Sequence, residues 1–210
     1  MAKYVLYGGP GSGSVSVEAA LQEAGADFDL VHIDTNKKEN FDAKFTAINP
    51  RQQIPALILL DGTVVTECAA ILLHIADAFP TANLAPKPGS SARALHDRWL
   101  VFLAVNIYEG ELRKGYSDRY SDDIGHAQAI AGAAGKYVER HYGILEQQIG
   151  AGPYFLGQQF SVLDIYIWMV AQWMDQDWLV SNCPKVLALA NAVKARPKIN
   201  KVQASHFGAA

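Results

Sequence analysis

Asn49-Pro50-Arg51-Gln52-Gln53-Ile54-Pro55-Ala56-Leu57-Ile58-Leu59-Leu60-Asp61-Gly62-Thr63-Val64-Val65-Thr66-Glu67-Cys68-Ala69-Ala70-Ile71 is the stretch from which the fold is read. Asn49 closes a helix, because a proline pushes the residue before it out of the helical region. Ala56–Leu60 and Thr63–Val65 have strand composition, and Asp61-Gly62 between them is a strong hairpin signal. Pro55 opens the first of these strands, where its missing N–H is tolerable, and an X-Pro bond there can be cis. A cis bond would turn the backbone N–H and C=O of Ile54 outward, ready to pair with an extended peptide ligand. The plain alternative is that Pro55 merely starts an edge strand. From Glu67 to Phe79 the pattern is helical, with Ile71, Leu72, Ile75, Ala76 and Phe79 on one apolar face. The positive end of that helix suits a ligand carboxylate, and Glu67 could accept from a ligand ammonium. Ordinary capping by Thr66, with Glu67 favoured by the helix dipole, explains the same residues without a ligand.

Toward the N-terminus, Tyr4–Tyr7 reads as a strand stopped by the breaker cluster Gly8-Gly9-Pro10-Gly11. Ser14–Ala24 is helical, with Val17, Ala20, Leu21 and Ala24 on one face and Gly25 as its stop. Phe28–Ile33 alternates like a second strand, and Asn40–Ile48 reads as a short helix carrying Phe41, Phe45 and Ile48. The order is βαβα-ββα, with the first three strands on helical crossovers and the last two in an antiparallel hairpin. Gly8-Gly9-Pro10-Gly11-Ser12-Gly13-Ser14 is a glycine-rich strand-to-helix turn that could cradle a phosphate, with Asp34 ending the second strand about 20 residues on. This dinucleotide reading is the weaker one. Ser14 stands where the third glycine of G-x-G-x-x-G belongs, and no second α/β half follows.

Toward the C-terminus, Ala85-Pro86-Lys87-Pro88-Gly89-Ser90-Ser91 has linker composition. Beyond it Ala92–Tyr108, Gly125–Ile149, Ser161–Gln172 and Pro184–Ala195 carry helical periodicity, and no segment reads as a strand. Ser161-Val162-Leu163-Asp164 has the form of a capping box. The expected organisation is an α/β domain over 1–80, a linker over 81–90 and an all-helical domain over 91–210, without internal repeats.

Composition narrows the function classes. The 210 residues are 50% hydrophobic and 19% charged, with a formal net charge of −3. That is ordinary globular composition, and the absence of a basic run argues against a nucleic-acid binder. No apolar stretch approaches the roughly 20 residues that span a bilayer. The first seven residues read as a strand and not as a signal peptide. Cys68 and Cys183 fall on different helices, so a disulfide framework is not expected and the cytoplasm is the default location. His32, His74, His96, His126, His141 and His206 lack metal-ligand spacing, so no metal is expected. Trp168, Trp173 and Trp178 are expected to fill the core or the domain seam.

Three of these features, in this order and spacing, resemble the glutathione S-transferase family over nearly the whole chain. Gln53-Ile54-Pro55-Ala56-Leu57 is similar to its cis-proline motif, which pairs with the cysteinyl backbone of glutathione. Thr66-Glu67-Cys68-Ala69-Ala70-Ile71 is similar to its motif for the γ-glutamyl end, with Cys68 in place of the usual serine. Phe160-Ser161-Val162-Leu163-Asp164 resembles the structural capping box of its C-terminal domain. Glu23-Ala24-Gly25, Ala47-Ile48-Asn49-Pro50 and Asn83-Leu84-Ala85-Pro86 resemble the bacterial beta class. That class carries a cysteine where this chain has Gly13, whereas Ser12, directly after Pro10-Gly11, matches the catalytic serine of theta- and delta-like members.

The resemblance implies a thioredoxin-like N-terminal domain, a helical C-terminal domain that forms the acceptor-substrate site, and a homodimer. It implies glutathione as co-substrate, held by Gln53, Ile54, Pro55, Glu67 and Cys68. Its thiolate would be stabilised by Ser12, with Ser14 and Tyr7 as alternatives, and would attack a small hydrophobic electrophile. Two polar positions of the beta-class acceptor site align with Val101 and Tyr108. The alternatives are a glutathione-binding scaffold with little turnover, or ether cleavage, isomerisation or peroxide reduction with the same thiol.

Overall fold

Tyr4–Gly8 (β1) has Tyr4 and Leu6 buried and Val5 and Tyr7 half-buried, the alternation expected of a strand with one face on a core. In the computed structural model, which describes residues 3–208, it lies inside a mixed sheet. The other strands are Phe28–His32 (β2), Ala56–Ile58 (β3) and Val64–Thr66 (β4), in the order β2-β1-β3-β4. Ser14–Ala24 (α1) forms the parallel β1–β2 crossover and buries Val15, Val17, Ala20 and Leu21. Gly25 ends it in the left-handed region (φ 72°), donating to the Gln22 and Leu21 carbonyls.

The second connection departs from the expected crossover. It contains the six-residue helix Ala43–Ile48 (α2), and β3 then runs antiparallel to β1. The chain therefore re-enters the sheet at the end where β1 and β2 stop. A parallel β3 would have required the connection to cross the full height of the sheet. β3 and β4 form the expected hairpin, though both strands are short: Leu59 N–H donates to Thr63 C=O and Gly62 N–H to Leu59 C=O. Thr66 belongs to β4, so Cys68–Ala78 (α3) starts at a Glu67 cap and packs on α1.

By its contacts the chain divides into two units, one of residues up to Ala85 with those from Val193 onward, the other Pro86–Ala192. In the helical unit, Ser91–Phe102 (α4) starts at Ser90, whose Oγ accepts from Arg93 N–H at 3.1 Å. The helix does not stop at Tyr108. It passes through a π-helical turn, Leu103–Tyr108, into Glu109–Gly115 (α5). Within that turn Asn106 Nδ2 donates to the Phe102 carbonyl (3.1 Å) and its Oδ1 accepts from the Tyr137 hydroxyl (2.6 Å). Ala127–Gln148 (α6), Val162–Ala171 (α7), Gln176–Asn182 (α8) and Pro184–Lys194 (α9) follow. Every residue of α7 is buried, Trp168 fully, and the Ser161–Asp164 capping box is formed. Trp173 and Trp178 are half-buried. Besides its helices, this unit shows among the described residues only the isolated bridges Tyr154–Gly157 and Leu156–Gln159. No helix of the described residues is long and apolar enough to cross a membrane.

Pro197–Phe207 (α10) packs on α1 in the first unit, although composition assigned everything from 91 onward to the helical domain. The contacts that draw it there link residues far apart in sequence. Arg196 pairs bidentately with Glu23 (2.7 and 3.1 Å), Lys198 Nζ caps the Gln22 carbonyl (2.8 Å), and His206 Nε2 meets Glu18 Oε2 at 2.8 Å.

Candidate functional site

Strand register builds the site. Ala56, the first residue of β3, faces Tyr7 near the end of β1 and Thr66 at the end of β4. The Gly8–Ser14 turn, the Gln53–Pro55 segment and the start of α3 therefore emerge at one edge of the sheet. Stretches as far apart in sequence as Gly13 and Cys68, 55 residues, are neighbours because β3 is antiparallel to β1.

The Gly8–Ser14 turn is held by its own hydroxyls. Ser12 Oγ lies 2.8 Å from the Gly9 carbonyl and 2.8 Å from Ser14 Oγ, and Gly9 N–H donates to Ser14 Oγ at 3.1 Å. Ser14 is buried, while Ser12 is half-exposed. Gly9 is required by close approach: a Cβ there would stand 2.7 Å from the Ile33 carbonyl oxygen and 3.1 Å from Ile54 Cδ1. Tyr7 has its ring on Phe45 (centroids 5.8 Å apart), in the cluster with Ile33, Ala56 and Ile54.

The Ile54–Pro55 peptide is cis, as its position predicts. The segment leading to it is braced by two buried asparagines. Asn49 Nδ2 donates to the Gln53 carbonyl (2.6 Å) while its Oδ1 accepts from Arg51 N–H (3.1 Å). Asn40 Nδ2 donates to the Gln52 carbonyl (2.8 Å), and Gln52 itself sits at φ 56°. Gln53 and Ile54 are half-buried and Pro55 is buried.

At the third corner Glu67 holds φ 67°, ψ 114°, a conformation that costs a non-glycine residue of order 1–3 kcal/mol. Its exposed carboxylate pairs with the Arg51 guanidinium, joining the second and third stretches. Cys68 is buried, and its thiol donates to the Gly13 carbonyl at 3.5 Å, tying the start of α3 to the start of α1. The serine-to-cysteine change thus leaves a side chain that still bonds, weakly, to the neighbouring helix start.

Ser12, Ser14, Gln53, Ile54, Pro55, Glu67 and Cys68 are accordingly gathered in one unit. Val101 and Tyr108 belong to the helical unit. Val101 is 53% exposed on α4, and Tyr108, half-buried at the end of the π-helical turn, has its ring edge-on to Trp173 (5.1 Å) and tilted on Tyr166 (6.1 Å). Nothing in the sequence singles out Asn40, Asn49 or Arg51 as site residues. Asn49 carried a signal only as a helix stop, and nothing local in the sequence says that Arg51 meets Glu67.

The sequence signature of the "Glutathione S-transferase, N-terminal domain" matches residues 2–77, and that of the "Glutathione S-transferase, C-terminal domain" matches residues 115–206. The chain belongs to the glutathione S-transferase family. Among its relatives is glutathione S-transferase GstA of Escherichia coli O157:H7, 32% identical over 170 residues, which are 80% of this chain and 81% of that one. Among solved structures, a glutathione transferase homologue from Sulfitobacter with bound glutathione superposes with a TM-score of 0.90 at 28% identity, covering 98% of this chain and 99% of that one. The bacterial beta class glutathione S-transferase of Sphingomonas chungbukensis gives 0.79 at 29% identity, over 97% and 99%. The glutathione S-transferase N-terminal domain is thus the thioredoxin-like α/β unit, and the C-terminal signature runs through α6–α9 into α10.

Proposed function

We propose that the protein is a glutathione transferase that adds the glutathione thiolate to a small hydrophobic electrophile. The observation that carries this reading is the convergence of the Gly9–Ser14 turn, Ile54-Pro55 and Glu67-Cys68 at one sheet edge, in a chain of this family. Glutathione lies in the reading as an extended peptide. Its cysteinyl backbone pairs with Ile54, beside Gln53 and Pro55. Its γ-glutamyl end meets Glu67 and the start of α3 at Cys68, where the helix dipole favours a carboxylate.

The chemistry then turns on the sulfur. A thiol of pKa near 8.5 is only a few per cent ionised at pH 7. Lowering it by about 2 units takes roughly 2.7 kcal/mol of preferential stabilisation of the anion. Ser12, half-exposed on the turn, supplies a hydroxyl donor, acting by hydrogen bonding and not as a covalent nucleophile. Ser14 is buried and Tyr7 packs on Phe45, which makes them poorer donors to a ligand. No step needs a metal. Tyr108 and Val101, in the helical unit, are the residues this reading assigns to the electrophile, and the physiological consequence is detoxification. Exposed Leu95 and Val105 along α4 and its π-helical continuation support a homodimer, and two cysteines outside any disulfide suit a reducing cytoplasm.

Retention on glutathione resin followed by turnover of a generic aryl halide tests the reading. Binding with turnover is the expected result. Binding without turnover favours a scaffold, the reading to which Gly13 in place of the beta-class cysteine points, or another glutathione-dependent reaction. Failure to bind overturns the assignment.

A further inference from the structure

Ser14 is 1% exposed, and its hydroxyl fills the space that a side chain at Gly8 would take: a Cβ there would stand 2.5 Å from Ser14 Oγ. A buried hydroxyl of this kind must be satisfied, and each partner is identifiable. Ser14 Oγ accepts from Gly9 N–H at 3.1 Å. Either hydroxyl can donate across the 2.8 Å Ser12–Ser14 contact, but Ser12 Oγ stands nearer the Gly9 carbonyl (2.8 Å) than Ser14 Oγ does (3.3 Å), so the arrangement with the shortest bonds puts the Ser12 proton on that carbonyl and the Ser14 proton on Ser12 Oγ. Ser12 Oγ accepts a second time from Ser14 N–H at 3.3 Å. A serine oxygen has two acceptor positions and one proton. With both positions filled by Ser14, Ser12 retains only its proton, which in the ligand-free protein goes to the Gly9 carbonyl at 2.8 Å.

We propose that Ser14 is a positioning residue that makes Ser12 an obligate donor: by filling both acceptor positions of Ser12 Oγ it leaves one proton to be aimed at an anionic sulfur. The proposal rests on the glutathione reading above. When the thiolate arrives, the Ser12 proton turns from the Gly9 carbonyl to sulfur, and that carbonyl keeps the Ser12 N–H at 3.3 Å. The chain Gly9 N–H to Ser14 Oγ–H to Ser12 Oγ–H to sulfur points every donor in one direction, and such chains strengthen each bond by about 10–30%. The orientation also selects for ligand charge. A neutral thiol offering its own proton finds no acceptor on Ser12, so the pair favours the ionised form.

The test is ultraviolet titration of the thiolate in the glutathione complex, for wild type, Ser12→Ala, Ser14→Ala and the double variant, each at saturating glutathione. Ser12→Ala should reduce thiolate formation about 10- to 150-fold, the loss of a hydrogen bond to a charged group. Ser14→Ala should reduce it about 2- to 5-fold, a rise of about 0.3–0.7 in the thiol pKa, with glutathione affinity nearly unchanged. In the Ser12→Ala background, Ser14→Ala should add nothing, because Ser14 acts through Ser12. Damage to the turn alone would shift both backgrounds equally, and that result overturns the proposal. So does an unshifted Ser14→Ala in an otherwise normal complex. If the alanine variant does not fold, Ser14→Cys fills the same space with a weak donor and must move the pKa in the same direction. Absence of a depressed thiol pKa in wild type would overturn the glutathione reading and the relay with it, an outcome visible before any variant is made.

Discussion

Asn49 is the residue on which the geometry of the ligand-facing loop most depends, and replacing it should separate loop positioning from helix capping. The side chain is 4% exposed and makes two bonds, a donation to the Gln53 carbonyl at 2.6 Å and an acceptance from Arg51 N–H at 3.1 Å. Each is worth about 0.5–1.5 kcal/mol net, so Asn49→Ala should cost about 1–3 kcal/mol in urea unfolding. The functional loss should be larger in proportion, because Gln53 immediately precedes Ile54, and a displacement of about 1 Å can cost on the order of 100-fold. Asn49→Asp sharpens the argument. Its carboxylate can still accept from Arg51 N–H but cannot donate to the Gln53 carbonyl, and at neutral pH it sets two acceptors against each other. It should be at least as destabilising as alanine at pH 7 and recover partly in acid, where a protonated carboxyl can donate. Urea unfolding and glutathione titration at pH 5 and pH 7 would measure both. If both variants stay within about 0.5 kcal/mol of wild type and bind glutathione normally, the bracing argument is wrong.

Glu67→Gly should relieve the φ 67° conformation and leave stability unchanged or raised by about 1 kcal/mol, while glutathione affinity falls about tenfold or more; a loss of both would refute the strain assignment. Gly9→Ala should lower the melting temperature and weaken glutathione binding, since its Cβ would press on the Ile33 carbonyl at 2.7 Å, and normal behaviour would show that the turn can yield. Burial pushes the Asp164 carboxyl up to about 6, so the folded state holds its proton more tightly than the unfolded one. Its contribution is fully present below about pH 4 and is lost as pH rises through 6, about 3 kcal/mol in all. The stability difference between wild type and Asp164→Asn should therefore shrink as pH rises from 4 to 7, and a difference that widens would contradict the shift.

Most elements of the first unit were legible because their signals are local. The Asp61-Gly62 turn, Gly25 at the end of α1 and the Ser161–Asp164 box each announce themselves within a few residues. The gathering of Ser12, Ile54 and Glu67 was legible only through family resemblance, since periodicity does not report strand direction. The antiparallel turn of β3 is a property of the whole sheet, and the pattern from 40 to 60 would read the same in a parallel crossover. Long-range pairs were illegible for the same reason. Nothing near Arg196 in sequence points to Glu23, yet that pair helps to place α10 on α1. The π-helical turn is not legible because Leu103–Tyr108 keeps an ordinary helical composition, and such a turn differs from an α-helix only in backbone bonds that span five residues instead of four. The serine pair is not legible as a pair: Ser12 and Ser14 read as alternatives for one role, and their 2.8 Å contact is seen only in the structure.

A crystal structure of the glutathione complex tests the central claim most directly, that this sheet edge holds glutathione with its sulfur at the turn. The cysteinyl N–H and C=O should pair with the Ile54 backbone, the γ-glutamyl carboxylate should lie at the start of α3, and the sulfur should lie within hydrogen-bond distance of Ser12 Oγ. Glutathione bound away from Ile54, or bound there with its sulfur out of reach of Ser12 and closest to Ser14 or Tyr7, would contradict it.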